Sequence, residues 1–120
     1  MKAKKSVWTR PKARIFRGLD SNLASELLMI AKRYIIRGRV QGVGFRWFVD
    51  HEARSLGLAG WVRNNIDGTV ETLAIGSDQQ HAALAGKLRQ GPRAARIDEV
   101  TELPAEPVDG LTTFRIEGAW

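Results

Sequence analysis

The densest chemical information in the chain lies in the segment Gly38-Arg39-Val40-Gln41-Gly42-Val43-Gly44-Phe45-Arg46. Closely spaced glycines let consecutive backbone N–H groups converge. The apolar spacing that begins at Phe45 adds a helix N-terminus, with its unsatisfied donors and positive dipole end. Together these features make an anion cradle suited to a phosphate. Arg46 lies one residue past Phe45, so with Phe45 on the core face Arg46 points off that face, near the loop. A guanidinium there can grip two phosphate oxygens in a fork. Glycine-rich turns are common, however, and an arginine in a first helical turn is often only solvated, so spacing leaves both readings open. The segment is not a Walker A loop, because no Gly-Lys-Ser/Thr follows, and it lacks the wider pattern of a dinucleotide fingerprint.

A second candidate is Asn64, at the end of a strand-like run that starts near Leu58. Its amide can accept a hydrogen bond from a water or donate one. Asparagine beside a turn commonly serves turn geometry instead, and Asn65, inside the loop, fits that duty better.

The elements that must position these groups follow from periodicity. Tyr34, Ile36 and Val40 alternate with Ile35, Arg37 and Arg39, which predicts a strand running into the glycines. Phe45, Phe48, Val49, Ala53 and Leu56 fall on one helical face, with Asp50 and Arg54 paired on the other side and Gly57 as a C-terminal stop. Residues 58–64 and 69–75 predict two strands around Asn65-Ile66-Asp67-Gly68, where Asp-Gly is a hairpin signal. Ser77 and Gln80 have capping-box spacing, and His81, Leu84, Ala85 and Leu88 then line a helix that Gly91-Pro92 ends. Strand-like runs over 94–103 and 112–118 complete the pattern. The order βαββαβ predicts an α+β fold, a ferredoxin-like split βαβ sandwich. Its antiparallel sheet carries both helices on one face and a short extra C-terminal strand. That architecture hosts many functions and decides none.

Composition narrows the setting. A chain of 120 residues supports one domain with a modest core. It holds no cysteine, which removes disulfide and thiolate chemistry. No apolar run approaches the ~20 residues that cross a bilayer, and no secretory signal is read at the basic N-terminus. The net charge of +6 is uneven: residues 1–33 carry nine Lys/Arg against two Asp/Glu, and the other 87 carry ten against eleven. The basic character therefore belongs to the leader, which is expected to be a solvated, partly disordered extension rather than a nucleic-acid arm. Leu19, Leu23, Leu27 and Leu28 have the spacing of a short amphipathic helix, and Met29 opens a stretch that makes a natural beginning for a compact domain.

Two motifs carry a resemblance. Ile36-Arg37-Gly38-Arg39-Val40-Gln41-Gly42-Val43-Gly44-Phe45-Arg46 resembles the first signature of the acylphosphatase family without a mismatch. Gly60-Trp61-Val62-Arg63-Asn64, followed by Gly68-Thr69-Val70 and Gly76, resembles the second. The likeness covers roughly residues 32–118 and does not extend to the leader. It divides the chain into an extension, residues 1–31, and an acylphosphatase-like domain, residues 32–120. The resemblance implies that Arg46 binds the phosphoryl group, that Asn64 holds the attacking water, and that Arg39, Val40, Gln41, Gly42, Val43 and Gly44 surround the phosphate with backbone N–H groups. It also implies direct hydrolysis of an acyl phosphate to a carboxylate and inorganic phosphate, with no cofactor, metal or phosphoenzyme. The implied partner is that small molecule alone, with no nucleic acid or membrane, in a cytoplasmic monomer.

Other residues offer weaker chemistry. His51 and His81 are isolated and make a poor metal site. Asp50 and Glu52 stand two apart on a helix, so they point differently and do not form a paired-carboxylate site. Trp47 and Trp61 flank the candidate site, where either can shape an acyl pocket, though packing is the commoner use. RNA readers of split βαβ shape carry aromatics in a Lys/Arg-Gly-Phe-like run, whereas this chain has Arg37-Gly38-Arg39-Val40.

Overall fold

The computed structural model describes residues 28–118. The expectations for the leader, including its order and the helix through Leu19, and for Trp120 lie outside those residues. The first strand, β1, spans Ile30–Arg39 and buries Tyr34 and Ile36 while Arg37 faces solvent. It begins ahead of the predicted Tyr34 because Ile30 and Ala31 pair with Gly76 and Ile75. At its far end the register slips between Arg37 and Gly38. Gly38 sits at φ 138°, where a Cβ would run into the Arg96 carbonyl oxygen. This bulge turns the chain out of the sheet and into the glycine-rich loop.

Helix α1 covers Phe45–Ser55 and is followed by β2, Ala59–Asn64, and β3, Val70–Gly76. Helix α2, Asp78–Gln90, leads to β4, Arg96–Pro104, and β5, Phe114–Ile116. The predicted capping box forms: Ser77 Oγ accepts from the Gln80 amide at 3.2 Å and Gln80 Oε1 accepts from the Ser77 amide at 2.7 Å. The same Gln80 side chain donates to the Leu56 carbonyl oxygen at 2.6 Å, tying the start of α2 to the end of α1.

The sheet order is β4-β1-β3-β2-β5. Its first four strands are antiparallel, whereas β5 runs parallel to β2. The α+β split βαβ architecture is thus present, with the extra strand as a parallel edge. Both helices cover one face. Phe45, Val49 and Ala53 of α1 and Leu84, Ala85 and Leu88 of α2 meet Tyr34, Ile36, Val62, Val70, Ala74 and Phe114 of the sheet. Each fully buried Val, Leu, Ile or Phe in such a layer contributes about 1.5–3 kcal/mol. Since β4 and β5 lie at opposite edges, residues 105–113 must cross the sheet. Ala105 and Leu111 of this crossing pack on Ala31, Ala59 and Ile75, on the face away from the helices.

One polar pair lies inside the core. Tyr34 and His81 are 0% and 1% exposed. His81 Nε2 faces the Ile30 carbonyl oxygen at 2.7 Å, so it carries the proton and donates; Nδ1 then accepts from the Tyr34 hydroxyl at 2.6 Å. Its role is structural, as the isolated position suggested. Burial holds the imidazole below its ordinary range, and burial likewise pushes the Tyr34 phenol upward. The unfolded chain takes up a proton on His81 near pH ~6.5, and the folded protein resists doing so. Between those two values the unfolded state binds more protons, so this contribution to stability is complete above pH ~6.5 and declines below it. The melting temperature is expected to drop between about pH 7 and about pH 5. Thermal melts of His81→Gln, whose amide can replace both hydrogen bonds but does not titrate, should show a shallower drop over that interval.

Candidate active site

The loop between β1 and α1 reaches its shape through two left-handed glycines, Gly42 at φ 74° and Gly44 at φ 78°. A Cβ at either position would meet open space, so backbone conformation rather than crowding is what calls for glycine. Gly44 is also the N-cap of α1; it brings no side-chain cap, and no acidic residue stands in the first turn. The N–H groups that open the helix are therefore left to solvent or to an anion, and the positive end of the dipole is not offset locally.

Asn64 arrives from another element. It closes β2 opposite Val70, with its side chain on the helix-covered side shared by Val62. β3 separates β2 from β1, so Asn64 and the loop start about 10 Å apart at ~4.8 Å per strand. Gln41 bridges that gap. Its Nε2 donates to the Asn65 carbonyl oxygen at 2.8 Å and to the Thr69 carbonyl oxygen at 2.9 Å. These carbonyls belong to the hairpin turn itself, where Asn65 N donates to Thr69 O at 2.8 Å and Gly68 N to Asn65 O at 3.2 Å. Asp67 stiffens the same turn by accepting from the Thr69 hydroxyl at 2.6 Å and from the Thr69 amide at 3.0 Å. That hydroxyl contact is the main reason the Asp67 carboxyl lies below its usual range.

The outcome is one cavity of about 250 Å³ lined by Val40, Gly42, Gly44, Phe45, Arg46, Trp47 and Asn64. Of the residues singled out by sequence, Val40, Gly42, Gly44, Arg46 and Asn64 share this wall, whereas Arg39, Gln41 and Val43 do not line it. The Arg46 guanidinium donates to the Glu117 carbonyl oxygen at 3.1 Å, just past β5, which anchors one of its nitrogens. Asn64 Oδ1 is buried and accepts no hydrogen bond from the described residues. Leaving such an acceptor unpaired costs about 1–3 kcal/mol, so the oxygen calls for a donor that the described residues do not supply. Among the described residues no three His, Asp or Glu side chains converge in a way that could hold a metal ion.

Two positioning groups escape the sequence reading, the Gln41 side chain and the Glu117 carbonyl. The side chain of Gln41 was counted only for its backbone N–H, although an amide in a loop that must meet a hairpin is a signal that can be read. The Glu117 carbonyl gives no sequence signal, since it meets Arg46 across 71 positions. Trp61 corrects the expectation that both tryptophans flank the site. Strand alternation puts it on the opposite face of β2 from Asn64, under the Arg63 guanidinium at 4.7 Å from the ring centre.

A glycine-shaped loop, an uncapped helix N-terminus, an anchored guanidinium and a buried amide oxygen meet at one small cavity on a split βαβ scaffold of the α+β class. Comparison with known proteins sharpens this. The acylphosphatase family model matches residues 32–116. An acylphosphatase of Koribacter versatilis is 57% identical over 89 residues, 74% of this chain and 81% of that protein. One from Thermococcus kodakarensis is 51% identical over 83 residues, 69% of this chain and 90% of that protein. The crystal structure of acylphosphatase from Bacillus subtilis superposes with a TM-score of 0.71 at 36% identity, covering 74% of this chain and 99% of that one. The chain belongs to the acylphosphatase family and is an enzyme of the hydrolase class.

Gln41→Glu keeps the size of the side chain and sets an acceptor against two carbonyl oxygens. Loss of the paired contacts is expected to lower unfolding stability by about 1–3 kcal/mol and to weaken binding of inorganic phosphate. Denaturant unfolding and titration calorimetry check both. Phosphate affinity that stays at the wild-type value would limit Gln41 to a stabilising role.

Proposed function

We propose that the protein hydrolyses the carboxyl–phosphoryl bond of acyl phosphates by direct attack of water at phosphorus, without a metal ion or a phosphoenzyme. The observation that carries this reading is the convergence of Gly42, Gly44, Arg46 and Asn64 on one small cavity from a loop, a helix and a strand. An acyl phosphate has a good carboxylate leaving group and needs little acid assistance. What remains is charge on the phosphoryl oxygens and placement of one water.

The loop N–H groups from Arg39 to Gly44 and the open end of α1 address the charge, together with Arg46 as the cation. Asn64 addresses the water. Its amide is not basic at neutral pH, so it orients rather than deprotonates. A turn about its outermost torsion presents either end of the amide to the cavity. As the water oxygen bonds to phosphorus, the bond from phosphorus to the acyl oxygen breaks and the carboxylate departs. The water proton passes to a phosphoryl oxygen of the substrate itself, and inorganic phosphate is released.

The same reading assigns catalysis to residues 32–120 and no catalytic part to residues 1–31, and it makes the protein a cytoplasmic monomer. No helix of the described residues is long and apolar enough to cross a membrane. On the open sheet face Arg33 and Arg63 share the buried Glu71 carboxylate at 3.0 and 3.2 Å, and Arg115 meets Glu117 at 2.9 Å. Arginines held in this way are poorly placed to track a phosphate backbone, which favours a domain without a nucleic-acid partner.

Hydrolysis of benzoyl phosphate in the presence of chelator tests the reading. The wild type is expected to turn over, and Arg46→Ala and Asn64→Ala to lose about 10²–10³ in kcat each while keeping the wild-type circular dichroism spectrum. A folded wild-type protein with no turnover, or turnover that chelator abolishes, would sink it.

A further inference from the structure

The catalytic cavity is small. Its volume of about 250 Å³ lies below the ~300–1,000 Å³ of sites that enclose a drug-sized ligand. Its polar wall, made by Gly42, Gly44, Arg46 and Asn64, is taken up by the phosphoryl group and its water on the reading proposed above, on which this inference rests. The acyl tail must therefore leave across the rim.

Three apolar side chains line the cavity, and two are committed elsewhere. Val40 and Phe45 are each 1% exposed and packed into the core beneath the helices. The third, Trp47, is 72% exposed. It follows Arg46 directly on the first turn of α1, so it stands beside the group that grips the phosphoryl oxygens. Burial is what an indole ordinarily gains in a fold, and here most of the ring has forgone it at the mouth of the site. The other exposed large apolar residues among the described ones, Met29, Ile66 and Val108, do not line this cavity.

We propose that Trp47 is a specificity-determining residue: its indole is the platform on which the acyl group rests, and it makes the enzyme prefer aromatic acyl phosphates over small aliphatic ones. A flat ring leaving the cavity can stack on the indole in the offset or edge-to-face arrangements that aromatic pairs favour. The single methyl of an acetyl group covers too little of the indole to gain much. The acyl tail keeps the same contact while the bond to phosphorus breaks, so the platform binds ground state and transition state alike. Its contribution then falls on KM rather than kcat.

Steady-state kinetics with benzoyl phosphate and acetyl phosphate, on the wild type, Trp47→Ala and Trp47→Phe, test this. In Trp47→Ala the ratio of the two kcat/KM values is expected to fall about 5–10-fold. Nearly all of that fall should come from a raised KM for benzoyl phosphate. Trp47→Phe, which keeps a ring, is expected to retain most of the preference. Acetyl phosphate turnover with the aromatic preference intact in Trp47→Ala would overturn the inference and leave the hydrolase reading standing. An equal loss on both substrates, or a loss confined to kcat, would also overturn it by making Trp47 structural. A folded wild type that hydrolyses neither substrate would remove the hydrolase reading and this inference with it.

Discussion

The Gln41 amide donates to the Asn65 and Thr69 carbonyl oxygens and so holds the glycine-rich loop against the turn that follows Asn64. The candidate chemistry depends on this contact because its parts come from strands that do not touch. β1 delivers the loop and β2 delivers Asn64, with β3 between them. A sheet sets the spacing of its strands at ~4.8 Å but leaves the loops beyond their ends free to drift. Two hydrogen bonds from one side chain remove that freedom where a phosphate-sized site needs it least. The hairpin contributes its own rigidity through Asp67 and Thr69, so the loop is fastened to something that does not itself move easily.

Rigidity of this kind rests in turn on how the sheet handles polar groups. Glu71 is buried on the open face, yet it receives Arg33, Arg63 and the Asn65 side-chain amide, at 3.0, 3.2 and 3.3 Å. Tyr34 and His81 are buried on the helix face and satisfy each other and Ile30. A carboxylate and an imidazole without partners would cost far more than either arrangement contributes. Both networks join residues distant in sequence, and that by Glu71 reaches the hairpin that follows Asn64. The unpaired Asn64 oxygen stands out against this thoroughness.

Much of the scaffold was legible because its signals are local. Period-two alternation from Tyr34, helical spacing from Phe45, the Asp-Gly turn and the Ser77–Gln80 box each operate over a few residues, and the corresponding elements formed close to the expected bounds. The early start of β1 was not legible, since Ile30 and Ala31 are drawn into the strand by partners more than 40 positions away. Nor was the parallel pairing of β5, which depends on a crossing that packs Ala105 and Leu111 against the open face. At the site, the positions of Gly42, Gly44, Arg46 and Asn64 could be read from motif and spacing. The face occupied by Trp61 required the register of β2, and the anchoring of Arg46 required the end of β5. Local chemistry is written in the sequence; which distant backbone atom receives it is decided only by the packed sheet.

The contact between Arg46 and Glu117 also sets a clock. The guanidinium and the carbonyl that anchors it are 71 positions apart, and the intervening chain must cross the whole sheet before they meet. At synthesis rates of ~5–20 residues per second, the arginine is incorporated roughly 4–14 seconds before its anchor is. Contacts of such long span are also those a folding chain closes late, since the entropy of the loop must be lost first. A nascent chain can therefore hold a formed hairpin and a formed α1 while its arginine still lacks this anchor. The strand laid down last completes the geometry of a site whose other parts were translated first.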